Sequence, residues 1–234
     1  MVKLPTSTDD AIITFLDKVN ETPLNKSAVR GFGRLVFAMD ATASREPTWD
    51  QACQIQGEMF RETASLGGLQ VQLIYYRGFG ECRASKWAKD SRELLRLMTG
   101  VRCRGGQTQI EKVLDHTKRE AEKHRINALV FIGDALEENI DKICHKGGEL
   151  GLLGVPMFVF QEGGDIVAER GFRELARLTG GAYSSFDGQS AQQLKDLLAA
   201  VAIYAAGGRK ALIEYGEVKG GKILRLTHQI EKKV

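Results

Sequence analysis

Five oxygen-bearing side chains stand where short apolar runs stop or amphipathic stretches begin. Asp40, Thr42 and Ser44 follow the run Leu35 to Met39. Thr108 follows Gly105-Gly106-Gln107 and opens a helical period, and Asp134 closes the run that starts at Ala128. The alternate spacing of Asp40, Thr42 and Ser44 lets one turning loop aim three oxygens at a common point. With Thr108 and Asp134 the set offers carboxylates and hydroxyls, with no nitrogen or sulfur. Hard divalent cations take such donors, so Mg²⁺ or Mn²⁺ is expected, Ca²⁺ less directly. The plainer use of the same residues is structural, with Thr42 and Ser44 capping the next helix and Asp40 closing a turn. That use leaves Thr108 and Asp134 without a role.

The elements around these residues follow from apolar patterning. Leu35-Val36-Phe37-Ala38-Met39, Leu69 to Tyr76, Ala128 to Ile132, Val155 to Phe160 and the weaker Ala182 to Ser185 read as strands. Most are apolar on both faces, as strands of a covered parallel sheet are. Helical periods separate them over Thr48 to Ser65, Thr108 to His124, Asn139 to Leu150, Gly171 to Thr179 and Ser190 to Ala206. Strand–helix alternation predicts an α/β fold, a doubly wound and mostly parallel central sheet with helices on both faces. In such sheets ligands bind at the carboxyl ends of the strands, which is where Asp40 and Asp134 fall.

Composition narrows the class. The chain has 234 residues, 43% hydrophobic and 27% charged, as a soluble globular protein does. Its longest apolar run, Leu197 to Ala206, is about half of a membrane span. No apolar segment follows Lys3, so no secretory signal is expected, and Cys53, Cys82, Cys103 and Cys144 form no C-x-x-C pair. Reduced thiols and a cytoplasmic location are the corresponding expectation. Three segments are expected. Residues 1–32 hold a helix (Thr8 to Val19) and a linker, 33–206 the α/β domain, and 207–234 a β-hairpin pairing Ala211–Tyr215 with Lys222–Thr227.

The three oxygen-bearing elements, in this order and context, resemble the metal-ion-dependent adhesion site of von Willebrand factor type A domains. The family's first element is usually Asp-x-Ser-x-Ser; Asp40-Ala41-Thr42-Ala43-Ser44 matches it with threonine at the middle position. Thr108 would be the family's lone threonine, and Asp134 its second aspartate, here in Gly-Asp-Ala where many members have Thr-Asp-Gly. Leu178-Thr179-Gly180-Gly181-Ala182-Tyr183 is similar to the family's last helix-to-strand passage, and the resemblance spans Gly33 to Ala206. It implies Thr42, Ser44 and Thr108 as direct hydroxyl ligands, with Asp40 and Asp134 balancing charge directly or through water. It also implies a non-enzymatic protein-interaction module, in which an Asp or Glu of the partner protein fills the ion's open position.

Two readings from other classes compete. Asp40 could serve a metal-dependent phosphohydrolase, but the aspartate that such phosphatases place two residues later is Thr42 here. The stretch Arg77 to Arg104 carries an excess of five positive charges, against +3 for the whole chain. It reads as a nucleic-acid or acidic-protein patch, or as a solvated helical face. Arg102 and Arg104, just before Gly105-Gly106-Gln107-Thr108, are the residues in it expected to touch a partner. No membrane contact is expected, and no Gly-x-x-x-x-Gly-Lys-Ser/Thr phosphate loop is present.

Overall fold

The structure, a computed structural model, describes residues 32–186 and 191–219. The expected N-terminal helix and the second hairpin strand, Lys222 to Thr227, lie outside the described residues. Among the described residues six strands form one sheet: β1 (Gly33–Asp40), β2 (Leu69–Arg77), β3 (Glu81–Ala88), β4 (Ala128–Gly133), β5 (Met157–Glu162) and β6 (Tyr183–Phe186). Their spatial order is β3-β2-β1-β4-β5-β6, and every pair is parallel except β2 with β3. The chain winds outward from β1 through β2, then returns to lay β4 on the other side of β1. That reversal opens a crevice beyond the carboxyl ends of β1 and β4.

Among the described residues seven helices cover the sheet: α1 (Glu46–Ile55), α2 (Gly57–Thr63), α3 (Ser91–Thr99), α4 (Ile110–Lys123), α5 (Ile140–Leu152), α6 (Ile166–Thr179) and α7 (Ala191–Lys219). Strand alternation divides the core in two. Leu35, Phe37 and Met39 of β1 face one way, onto Trp49 of α1, Met59 of α2, Leu94 and Met98 of α3 and Leu197 and Val201 of α7. Val36 and Ala38 face the other, toward Val113 of α4, Ile143 of α5 and Phe172 of α6. Leu35 to Met39 of β1 are buried on both faces, which is why that run is apolar without interruption.

Two departures from the sequence reading have physical causes. Ala211 to Tyr215, expected as a hairpin strand, belongs to α7, which kinks at Gly208 (φ 73°) and continues. Ala211 and Leu212 are buried and Tyr215 packs partly on the same core, while Ile213 is exposed. That is helical spacing, and an apolar run of this length does not by itself distinguish helix from strand. The basic stretch is not one helical face either. It contains β3, an antiparallel edge strand with exposed Arg83 and Lys86, then α3, capped by Asp90 accepting from the Glu93 amide at 2.8 Å. Charged residues and a bulge are common on sheet edges, and they hide the apolar alternation that reveals a strand.

Candidate functional site

Asp40 is the last residue of β1 and is 2% exposed. Its Oδ1 accepts the Thr42 amide at 2.7 Å, which turns the chain sharply out of the sheet. A 3₁₀ turn, Ala43–Arg45, follows, and the Thr42 and Ser44 hydroxyls stand 3.4 Å apart. Neither hydroxyl caps this turn or α1, so the capping use weighed above does not occur. Burial pushes the Asp40 carboxyl up to about 6, opposed by the Thr42 hydrogen bonds and reinforced by the charge of Asp134. Beside Asp40 in the sheet register lies Tyr76, fully buried, whose hydroxyl has no hydrogen bond of good geometry among the described residues. Burial, then the negative charges of Asp40, Glu138 and Asp134, push its ionisation far up.

Thr108 reaches the same edge on the loop between α3 and α4. Three bonds fix that loop: the Arg104 amide to the Ala41 carbonyl (2.9 Å), the Gln107 amide to the Gly78 carbonyl (3.1 Å), and the Arg77 guanidinium to the Arg102 carbonyl (2.7 Å). The loop passes so close to the β2–β3 turn that a Cβ on Gly106 would lie 2.1 Å from the Gly78 oxygen. Only glycine allows that approach. Thr108 is buried and held from the β4–α5 loop: its amide donates to Glu137 (2.8 Å), its hydroxyl donates to Glu138, and the Glu137 amide donates back to that hydroxyl (3.0 Å). Glu138 also accepts the Ile110 and Glu111 amides at the start of α4, a carboxylate on the positive end of a helix.

Asp134 follows β4, as expected, but it is engaged. Arg45, only 12% exposed, places Nη2 3.2 Å from the Asp134 carboxylate and pairs through Nη1 with Glu162 at the end of β5. The Thr48 hydroxyl also donates to Glu162. The edge therefore gathers Asp40, Thr42, Ser44, Thr108 and Asp134, and around them Arg45, Glu137, Glu138 and Glu162. Among the described residues no three His, Cys, Asp or Glu side chains form a metal cage by themselves. A cation here would depend on the hydroxyls. The donor chemistry fits a hard divalent ion: all oxygen, two carboxylates of which one is buried beside an unsatisfied phenol, and two hydroxyls that serve no cap. Arg102 and Arg104 are exposed, and the Arg104 amide bond to Ala41 brings their loop to the same rim.

No protein-family model and no curated protein matches this sequence. Solved structures do match. A von Willebrand factor type A protein from Catenulispora acidiphila superposes with a TM-score of 0.62 at 12% identity, over 74% of this chain and 43% of that one. The fold is that of a von Willebrand factor type A domain. The SpRpn10 VWA domain matches at TM-score 0.55 and 14% identity, over 71% of this chain and 94% of its own. Proximal thread matrix protein 1 of the mussel byssus, with a zinc-occupied MIDAS motif, matches at TM-score 0.58 and 13% identity, over 74% and 46%. This chain thus spans less than half the length of the first and third proteins. At such identities the likeness carries the von Willebrand A fold and nothing about residues.

Sequence reading missed Tyr76, Arg45, Glu137, Glu138 and Glu162. Glu137-Glu138 had a legible signal, a carboxylate pair soon after a strand-terminal Asp134. Arg45 had none, because its reach across to β4 and β5 is tertiary. Among the described residues no helix is long and apolar enough to cross a membrane.

Proposed function

We propose that this chain is a non-enzymatic protein-interaction module that recognises an acidic group of a partner protein through a divalent cation. The observation that carries the proposal is the convergence of Asp40, Thr42, Ser44, Thr108 and Asp134 on one sheet edge at the winding reversal of a von Willebrand A fold. Asp40, Thr42, Ser44, Thr108 and Asp134 would hold Mg²⁺ or Mn²⁺. When bound, the ion supplies an open position for a partner Asp or Glu, as a bridge and not as a Lewis-acid catalyst. Asp40 supplies charge from a dry position, and Thr42 and Ser44 supply oxygens at the exposed side. Glu137 and Glu138 position Thr108. Arg102 and Arg104 would meet further acidic groups of the partner. Residues 33–206 would form the interaction domain in the cytoplasm, with α7 running beyond it and the flanking segments as extensions.

The test is capture of partners by wild-type and Asp40→Ala baits, each with Mg²⁺ and with EDTA. A protein retained only by the wild type with metal supports the proposal. Equal retention in all four conditions, or release by salt alone, overturns it in favour of the electrostatic or nucleic-acid reading.

A further inference from the structure

Arg45 immediately follows Ser44, and the 3₁₀ turn folds it back, its amide donating to the Thr42 carbonyl at 3.0 Å. Its guanidinium thus reaches two other strands, meeting Asp134 beyond β4 and Glu162 at the end of β5. The group is mostly buried, yet its Nε has no hydrogen-bond partner among the described residues, and its Nη1 meets Glu162 as an ion pair without hydrogen-bond geometry. Charge holds it there more than a complete set of hydrogen bonds does. A planar cation seated on a carboxylate can be moved off it if another site for the charge remains. Glu162 is that site: it also accepts from Thr48, and it is not among the five expected ligands.

Resting on the metal reading above, we propose that Arg45 is a resident cation of this edge that a divalent ion must move off Asp134. In the metal-free protein Arg45 neutralises Asp134 and keeps the β4 and β5 ends together. Were a divalent ion held by Asp134, Arg45 would keep Glu162 and yield Asp134, because like charges repel strongly in a partly dry site. Arg45 therefore sets the metal affinity. It makes the site weaker than its oxygen donors alone would make it.

The experiment titrates Mn²⁺ into the purified full chain by calorimetry, for the wild type, Arg45→Gln, Arg45→Met and Arg104→Gln. Arg45→Met keeps the aliphatic stem, and thermal melts of every variant report folding. Arg104→Gln removes an equal charge from the same rim, where Arg104 forms no ion pair among the described residues. The proposal expects Mn²⁺ affinity to rise roughly tenfold or more in both Arg45 variants and to stay within about twofold in Arg104→Gln. Equal affinities in all four proteins, or an equal rise in the Arg45 and Arg104 variants, would overturn the resident-cation role while leaving the metal site standing. Absence of Mn²⁺ binding in all four at millimolar concentration would overturn the metal reading and this inference with it.

Discussion

Replacing Asp40 by asparagine is expected to stabilise the metal-free protein at neutral pH. Asparagine keeps the size of the side chain and the oxygen that accepts the Thr42 amide at 2.7 Å, and it removes the buried charge. Burial raises the Asp40 carboxyl from 3.8 to about 6, so the folded protein binds that proton more tightly than the unfolded chain. Between those values the folded state holds more protons, and stability falls as pH rises across the window. Each tenfold change in proton affinity is worth ~1.4 kcal/mol, so ionised Asp40 costs the fold about 3 kcal/mol above pH 6. Asparagine has its own desolvation cost, which leaves a gain of about 2 kcal/mol, or roughly 4–8 °C in melting temperature for a domain of this size. The assay is denaturant unfolding of wild type and Asp40→Asn in metal-stripped buffer from pH 7.5 to pH 4. The difference should be largest at pH 7.5 and shrink to a fraction of its value by pH 4. Added Mn²⁺ should raise the stability of the wild type only. A variant less stable than wild type at pH 7.5, or a gain that does not fall on acidification, would refute the reasoning.

Three further outcomes are expected. Gly106→Ala sets a methyl against the Gly78 carbonyl, so it should lower stability by about 1–3 kcal/mol and weaken Mn²⁺ binding with every proposed donor still in place; melting and calorimetry read both. Burial pushes the Cys53, Cys82 and Cys103 thiols up to about 11. The native protein should therefore alkylate slowly at pH 8, and mass spectrometry of the unfolded, unreduced chain should find four modified thiols. Arg102→Ala combined with Arg104→Ala should slow partner association several-fold and flatten its salt dependence without changing metal affinity, which surface plasmon resonance at varied salt would measure.

The parts of this fold legible in the sequence are those decided by burial on both faces. Leu35 to Met39 and Ala128 to Ile132, set in a strand–helix alternation and closed by polar turn residues, read as central strands, which put those polar residues at the sheet edge. Edge and terminal elements were harder to read. Glu81–Ala88 exposes one long side to solvent and carries charge there, so no apolar alternation marks it as a strand. Ala211 to Tyr215 is too short an apolar run to choose between periods, and the core under α7 makes the choice. At the proposed site, residue types and spacing along single loops singled out Asp40, Thr42, Ser44, Thr108 and Asp134 as candidates. What each side chain touches was not legible. The Glu138 contact to Thr108 and the Arg45 contact to Asp134 join loops far apart in sequence. Such pairings depend on strand order, which no local pattern encodes.

The central claim is that a divalent ion binds among Asp40, Thr42, Ser44, Thr108 and Asp134. Titration of Mn²⁺ into the ¹⁵N-labelled chain tests it most directly, because the paramagnetic ion erases amide signals around wherever it binds. At substoichiometric Mn²⁺ the account predicts loss of the Ala41 to Arg45, Thr108 and Asp134 amides first, relief of that loss by excess Mg²⁺, and no loss in Asp40→Ala. Broadening that begins elsewhere, or that survives in Asp40→Ala, would contradict it.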